Sequence, residues 1–200
     1  VTSGDLTRRL ITAANGAGLF HLGPAKDKSI FTGLDARFVA ERSADLVICS
    51  GLFDDDVEGP EHYRAMLERF AARNVAMICG NPDIKVERGT RLVYCAGALA
   101  ALYEEMGGTV TYAGKPHLPA YEMAFEALAA CNGAPLPKQR ILAIGDGLAT
   151  DMKGAAAAGL RSVFIASALH TDGPLTEATL DELFAATPSR PIAAQSALVW

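Results

Sequence analysis

The sequence predicts an α/β fold built on a parallel sheet, and three observations carry that prediction. Short apolar runs alternate along the chain with longer stretches of helical periodicity. The runs are almost continuously apolar, as strands buried on both faces require, and turn-forming residues close each one. Strand–helix–strand order with such strands implies parallel pairing under a cover of helices.

Taken in order, Ser3 to Asn15 reads as a helix, capped by Ser3 or Asp5, with Leu6, Leu10, Ile11 and Ala14 on one face and Gly16 as the stop. Strands are expected at Gly18 to Leu22, Asp45 to Cys49 and Val75 to Cys79. Between the last two, Pro60 opens a helix that places Tyr63, Met66, Leu67, Phe70 and Ala71 on one face. A further helix carries Leu99, Leu102, Tyr103 and Met106 and ends at Gly107-Gly108. The second half repeats the alternation. Strands are expected at Thr109 to Ala113, Ile141 to Gly145 and Arg161 to Ala166. Helices are expected after Pro119, through Tyr121, Ala124, Phe125 and Leu128, and from Thr150, as its cap, to Ala158. The four alanines Ala155 to Ala158 mark close helix–sheet packing, and the tail from Thr171 reads as a surface connection ending in apolar Ala197 to Trp200.

Composition narrows the function classes. Half of the 200 residues are hydrophobic and a fifth charged, so the chain can bury a sizeable core and is neither disordered nor fibrous. A net charge of −5 leaves nothing to neutralise a run of phosphates, which argues against nucleic acid. The longest nearly unbroken apolar stretch, Leu92 to Tyr103, is too short to span a bilayer, and no signal-peptide pattern opens the chain. Cys49, Cys79, Cys95 and Cys131 are widely spaced and form no CxxC pair, which reads as buried thiols in a reducing, cytoplasmic compartment. The chain starts at Val1, and Val1-Thr-Ser-Gly-Asp5 reads as a strand end entering a helix, so further residues are expected upstream.

Two segments could carry chemistry. In Ile141-Leu-Ala-Ile-Gly-Asp146-Gly-Leu-Ala-Thr-Asp151, a buried strand ends at a Gly-Asp-Gly turn. Ligands of open α/β sheets bind at that end, and two carboxylates five residues apart across the turn can converge on a hard cation such as Mg²⁺. The plainer alternative makes Asp146 a turn residue and Asp151 a partner of the helix dipole. In Tyr112-Ala-Gly-Lys115-Pro-His117, a lysine is fixed in a turn after a strand, where its ammonium could neutralise phosphoryl oxygens. Alone, that tripeptide suits a solvated lysine equally well. His117 is close enough in sequence to touch a substrate, although a structural hydrogen bond is the simpler role. His21, His62 and His170 show no ligand spacing, and neither a P-loop nor a Gly-x-Gly-x-x-Gly turn occurs.

Together these segments resemble motifs III and IV of the haloacid dehalogenase (HAD) superfamily. Cys79-Gly-Asn81-Pro-Asp83, the Cys95-Ala-Gly97-Ala-Leu-Ala segment and Tyr112-Ala-Gly-Lys-Pro116 resemble its class IIA, NagD-like branch. The resemblance implies a Rossmann-like core, here partial, over residues 108–200, with its sheet carrying both turns on successive strands. It also implies an inserted α/β C2-type cap over 1–107. The implied activity is an Mg²⁺-dependent phosphatase working through an aspartyl-phosphate on a small phosphorylated metabolite. Asp146 would ligate the metal. Asp151 would orient a metal-bound water or Lys115, and Lys115 would bridge nucleophile and phosphate. Asn81 and Asp83 would meet the substrate from the cap loop, and the cap could support a homodimer. The family's Asp-x-Asp-Gly motif and the Ser or Thr of its second motif are expected upstream, so these 200 residues alone should be inactive. Asp56-Val-Glu58-Gly59 lacks the right spacing, and the acids at 54–58 more simply charge the next helix. The alternative to a phosphatase is a non-catalytic, HAD-derived ligand-binding or dimerisation module.

Overall fold

A computed structural model describes residues 1–89, 91–166, 175–185, 187 and 190–198. His170, part of the predicted tail connection and Trp200 lie outside the described residues. The chain divides into two units, Val1–Gly114 and Lys115–Trp200.

The first unit opens with α1 (Ser3–Ala13). Its cap is Thr2 rather than Ser3 or Asp5: Asp5 N–H donates to Thr2 Oγ1 at 3.1 Å, and Thr2 N–H donates back to the Asp5 carboxylate at 2.8 Å. This reciprocal pair satisfies two otherwise orphaned helix-end donors. Then follow β1 (Gly18–Leu22), β2 (Arg37–Phe38), β3 (Leu46–Cys49), α2 (Arg64–Ala71) and β4 (Ala76–Cys79). The hairpin β5 (Lys85–Arg88) and β6 (Arg91–Tyr94), then α3 (Ala96–Glu105) and β7 (Val110–Tyr112), complete the unit. Five strands form one parallel sheet in the order β2-β1-β3-β4-β7, in register with Val47 beside Met77 and Cys49 beside Cys79. Leu67 and Phe70 of α2 and Leu99 and Tyr103 of α3 close the core over Val47 and Met77.

The second unit holds α4 (Leu118–Asn132), β8 (Leu142–Gly145), a π-helical turn at Leu148–Met152 leading into α5 (Lys153–Ala157), and β9 (Arg161–Ile165). Its parallel three-stranded sheet has the order β10-β9-β8. The described residues of the tail hold regular elements that its composition does not suggest. It contains α6 (Glu177–Leu183), capped by Thr176, and β10 (Ala193–Gln195), paired with β9. Phe184 stacks edge-on against Phe164 at 5.2 Å, so this segment covers the sheet.

Some expectations change. The strand before Lys115 and the strand before Asp146 do not share a sheet: β7 pairs with β4 in the first unit, and β8 with β9 in the second. The division into units falls after Gly114, so β7 belongs to the first unit. Thr150 makes no capping hydrogen bond, because it lies inside the π-helical turn. Cys49, Cys79 and Cys95 are buried free thiols, but Cys131 is exposed. Burial pushes the Cys79 thiol up to about 12 and raises that of Cys49, so both stay protonated and chemically quiet. No helix among the described residues is long and apolar enough to cross a membrane.

Candidate active site

The site grows from the end of β8. Its apolar run delivers Asp146 to the carboxyl edge of the sheet, and the chain turns there through the π-helical turn into α5. The Asp151 carboxylate folds back over that turn. Its Oδ2 accepts the Gly147 N–H at 3.1 Å, and its Oδ1 accepts Lys115 Nζ at 2.5 Å. The Asp151 side chain is 15% exposed and that of Lys115 53%, so the pair is half shielded with the cation on the open side. The two glycines flanking Asp146 make this possible. A Cβ on Gly145 would sit 2.4 Å from Asp151 Cγ, and one on Gly147 would sit 2.0 Å from Thr150 Oγ1. Both positions need glycine for close approach of a side chain.

Tyr121, an apolar helix position by sequence pattern, also reaches the site. From α4 its hydroxyl donates to the Asp151 carbonyl at 3.3 Å, and its ring lies on Gly154, where a Cβ would fall 2.4 Å from the hydroxyl. Burial first, and the Asp151 charge second, push its phenol up to about 12, so it remains a donor. Tyr121 thus holds the turn that carries Asp151. Its signal in the sequence is the pairing of an aromatic with a glycine on the next helix, visible only once α4 and α5 are known to touch. His117 stands at the N-cap of α4, where its carbonyl accepts from Ala120 N–H at 3.3 Å.

Asp146 is exposed and has no hydrogen-bonding or ionic partner among the described residues. An unpartnered carboxylate at a strand end suits a hard cation that takes oxygen ligands and keeps waters. Asp151 has both oxygens engaged by protein donors, so it suits a supporting role beside such an ion. The donor set therefore fits Mg²⁺.

In the first unit, Asn81 and Asp83 share one pinned loop. Asp83 N–H donates to Asn81 Oδ1 at 3.3 Å, and the Asp83 carbonyl accepts from Gly97 N–H at 3.1 Å. A Cβ on Gly97 would lie 2.2 Å from the Pro82 carbonyl oxygen, so the loop rests directly on the start of α3. Of the acids at 54–58, Glu58 accepts from the Tyr63 hydroxyl in the turn that follows, whereas Asp55 and Asp56 reach another element. Arg88 donates to both Asp55 oxygens, at 2.8 and 2.5 Å, and Arg91 to the Asp56 carbonyl at 2.7 Å, which makes the cluster an anchor for the β5–β6 hairpin.

A family model described as HAD-hydrolase-like matches residues 112–188, the stretch that contains Lys115, Asp146 and Asp151. A solved hydrolase of the haloacid dehalogenase-like family from Brucella suis 1330 is 47% identical, with a TM-score of 0.80 over 100% of this chain and 72% of that one. This chain belongs to the HAD-like hydrolases. The p-nitrophenyl phosphatase from Archaeoglobus fulgidus shares the fold at 18% identity, with a TM-score of 0.73 over 98% of this chain and 70% of that one. A protein assigned as NagD aligns at 25% identity and a TM-score of 0.60, over 88% of this chain and 66% of that one. The solved neighbours are thus of the class IIA, NagD-like kind that the Asn-Pro-Asp loop anticipates. No curated protein matches the chain.

Proposed function

We propose that this HAD-like hydrolase is an Mg²⁺-dependent phosphatase of small phosphomonoesters. In this reading Val1–Gly114 serves as its cap, and the nucleophilic aspartate comes from sequence outside these 200 residues. The observation that carries the proposal is the Lys115–Asp151 ion pair folded against the Gly-Asp146-Gly turn at the carboxyl end of β8. The aryl phosphatase among the solved neighbours and the resemblance to the NagD-like branch support the same class of reaction. The three buried free thiols support a reducing, cytoplasmic setting.

In this mechanism Asp146 would hold Mg²⁺, with Asp151 beside it, and the bound ion would supply charge stabilisation for the phosphoryl group. Lys115 places a compact ammonium against the phosphoryl oxygens and lowers the repulsion an attacking carboxylate meets. Asp151 fixes where that ammonium sits, and the Gly147 N–H fixes Asp151. Tyr121 keeps the turn from swinging away. Water then splits the phosphoryl-enzyme, so the net reaction converts a phosphomonoester and water into an alcohol and phosphate.

The test is release of nitrophenolate from p-nitrophenyl phosphate by the complete protein, with and without Mg²⁺. Asp146 is exposed and unpartnered, so Asp146→Asn should fold normally and lose at least about a hundredfold in Mg²⁺-dependent turnover. Turnover at the level of the unsubstituted protein would refute the assignment.

A further inference from the structure

β3 begins at Leu46 and β4 at Ala76, side by side in the first unit's sheet, so residues 42–45 and 73–75 meet at its amino edge. They line a recess of about 350 Å³, within the size range of small-molecule sites. Asn81 and Asp83 follow the other end of β4, roughly 13 Å away across its four residues, so the recess is separate from their loop. The local fold builds it. After α2 the chain reverses at Asn74, whose φ of 55° is left-handed, a conformation that asparagine tolerates better than most residues. Arg73 donates from Nη1 to the Glu41 carbonyl at 2.9 Å and from Nη2 to the Ala44 carbonyl, which fixes its guanidinium against the 3-10 turn at Glu41–Ser43.

Charge selects the ligand class. The chain as a whole carries −5, yet Arg37, Arg42, Arg69 and Arg73 gather at this edge against Glu41 and Asp45. Both acids are already engaged. Glu41 accepts two bonds from Arg69, at 2.5 and 3.1 Å, and Asp45 accepts the Gly18 N–H at 2.7 Å and Arg37 Nη2 at 3.4 Å. Four guanidiniums against two carboxylates leave two positive charges in excess, carried by Arg42 and Arg73. The C-terminal end of α2 opposes them with only about half a negative charge, so the edge stays positive. The side chains of Arg42, Ser43 and Asn74 are exposed and have no hydrogen-bonding or ionic partner among the described residues, which leaves their donors to a ligand. A tetrahedral dianion matches the charge excess, and its oxygens accept in the paired fashion a guanidinium fork offers. No aromatic side chain lines the recess, so the anionic group itself is what is recognised.

We infer that this recess is an anion site for a phosphoryl group, free or carried by a small metabolite, with Arg42, Ser43, Arg73 and Asn74 as its donors. The test is a Mg²⁺-free titration of the 200-residue chain with inorganic phosphate and with ribose 5-phosphate, followed by backbone amide NMR at constant ionic strength. The expected result is saturable shifts at residues 42–45 and 73–75. Equal affinity for the two probes identifies the free ion as the ligand, and tighter binding of the ester identifies a phosphorylated metabolite; both support the site. Arg42 is exposed and unpartnered, so Arg42→Ala should fold normally and weaken the affinity about tenfold, the effect of losing one charge-assisted bidentate pair. Arg42→Lys, which keeps the charge and loses the fork, should recover part of that loss. Three results overturn the inference: no saturable shift at these residues up to about 50 mM phosphate, an unchanged affinity in folded Arg42→Ala, or the same shifts from sodium chloride alone. The shifts are assigned residue by residue, so anion binding at Lys115 is counted separately and the outcome does not depend on the phosphatase reading.

Discussion

β3 and β8 are written in nearly the same way, Leu-Val-Ile-Cys in one and Leu-Ala-Ile-Gly in the other, yet they meet opposite environments. β3 lies inside a five-stranded sheet with every residue buried, and Val47, Ile48 and Cys49 have no exposed surface. β8 is an edge strand whose Leu142 and Ile144 are 44% and 43% exposed. The helices differ in the same sense. Leu67 and Phe70 of α2 are fully buried, whereas α4 buries none of its residues and leaves Leu118 and Leu128 in the open. A continuous apolar run signals a strand meant for cover on both faces. The first unit supplies that cover from its own sequence, and the second meets it on one side only. Within these 200 residues, then, the first unit covers its sheet from its own sequence, whereas the second leaves β8 and α4 open, and Lys115, Asp146 and Asp151 sit on the less covered one.

The sharpest way to break this comparison is a matched pair of truncations. Leu67→Ala removes a fully buried side chain and should cost about 2–5 kcal/mol. Leu142→Ser alters a side chain already 44% exposed and should cost under about 1 kcal/mol. Urea unfolding followed by signals from each unit would separate them. Equal losses would mean that the β8 face is covered in solution, and the contrast between the units would fail.

A second pair contrasts how each unit uses its close-packed glycines. Gly97→Ala drives a Cβ to 2.2 Å from a backbone carbonyl, which cannot turn aside. Gly145→Ala drives one to 2.4 Å from the Asp151 side chain, which can turn, but only by leaving Lys115. Each should cost about 1–3 kcal/mol. The first loss should appear as displacement of the loop at Asn81, and the second as loss of the Lys115–Asp151 contact with β8 and β9 still paired. Crystal structures of the two variants check this. A Gly145→Ala protein that keeps the ion pair would show that the glycine is not what seats Asp151.

The sequence is informative where the determinant is local and silent where it is not. Strand positions such as Leu46–Cys49 and Leu142–Gly145 are legible to within a residue, because an apolar run between turn formers has few alternatives. Which sheet a strand joins is a long-range choice, so β7 and β8 read as neighbours although they pair with β4 and β9. The β5–β6 hairpin escapes detection because Lys85-Val-Glu-Arg88 and Arg91-Leu-Val-Tyr94 are charged on one side and cover only part of the core, with Val93 buried and Leu92 exposed. The acids at 54–56 illustrate the same point. The arginine partners of Asp55 and Asp56, Arg88 and Arg91, are more than thirty residues away, and no local rule finds them. Lys115 and Asp151, which the resemblance singles out in two separate turns, are in contact, whereas Tyr121 reaches Asp151 through helix packing that the sequence does not display.

The smallest effect concerns pH, and it centres on one group of the first unit. His21 is half buried at the end of β1, and burial lowers the pKa of its ring, with Lys28 adding to that and the Asp27 charge opposing it. A histidine whose folded pKa lies below its unfolded value near 6.5 is protonated more readily when unfolded. Its contribution to stability is thus fully present above pH 6.5 and is lost as pH falls through 6.5 and past the folded value. The carboxylates whose values are lowered by neighbouring donors, such as Glu41 beside Arg69 and Asp55 beside Arg88, titrate below about pH 4.5 and leave this window to the histidine. Between pH 7 and pH 5 the unfolding midpoint of the first unit should fall by about 1 °C. His21→Gln, which keeps a donor for Ser50 and cannot titrate, should flatten the slope. A slope that persists in this variant would place the titrating group elsewhere, and an equal slope in both units would show that the effect is not local to His21.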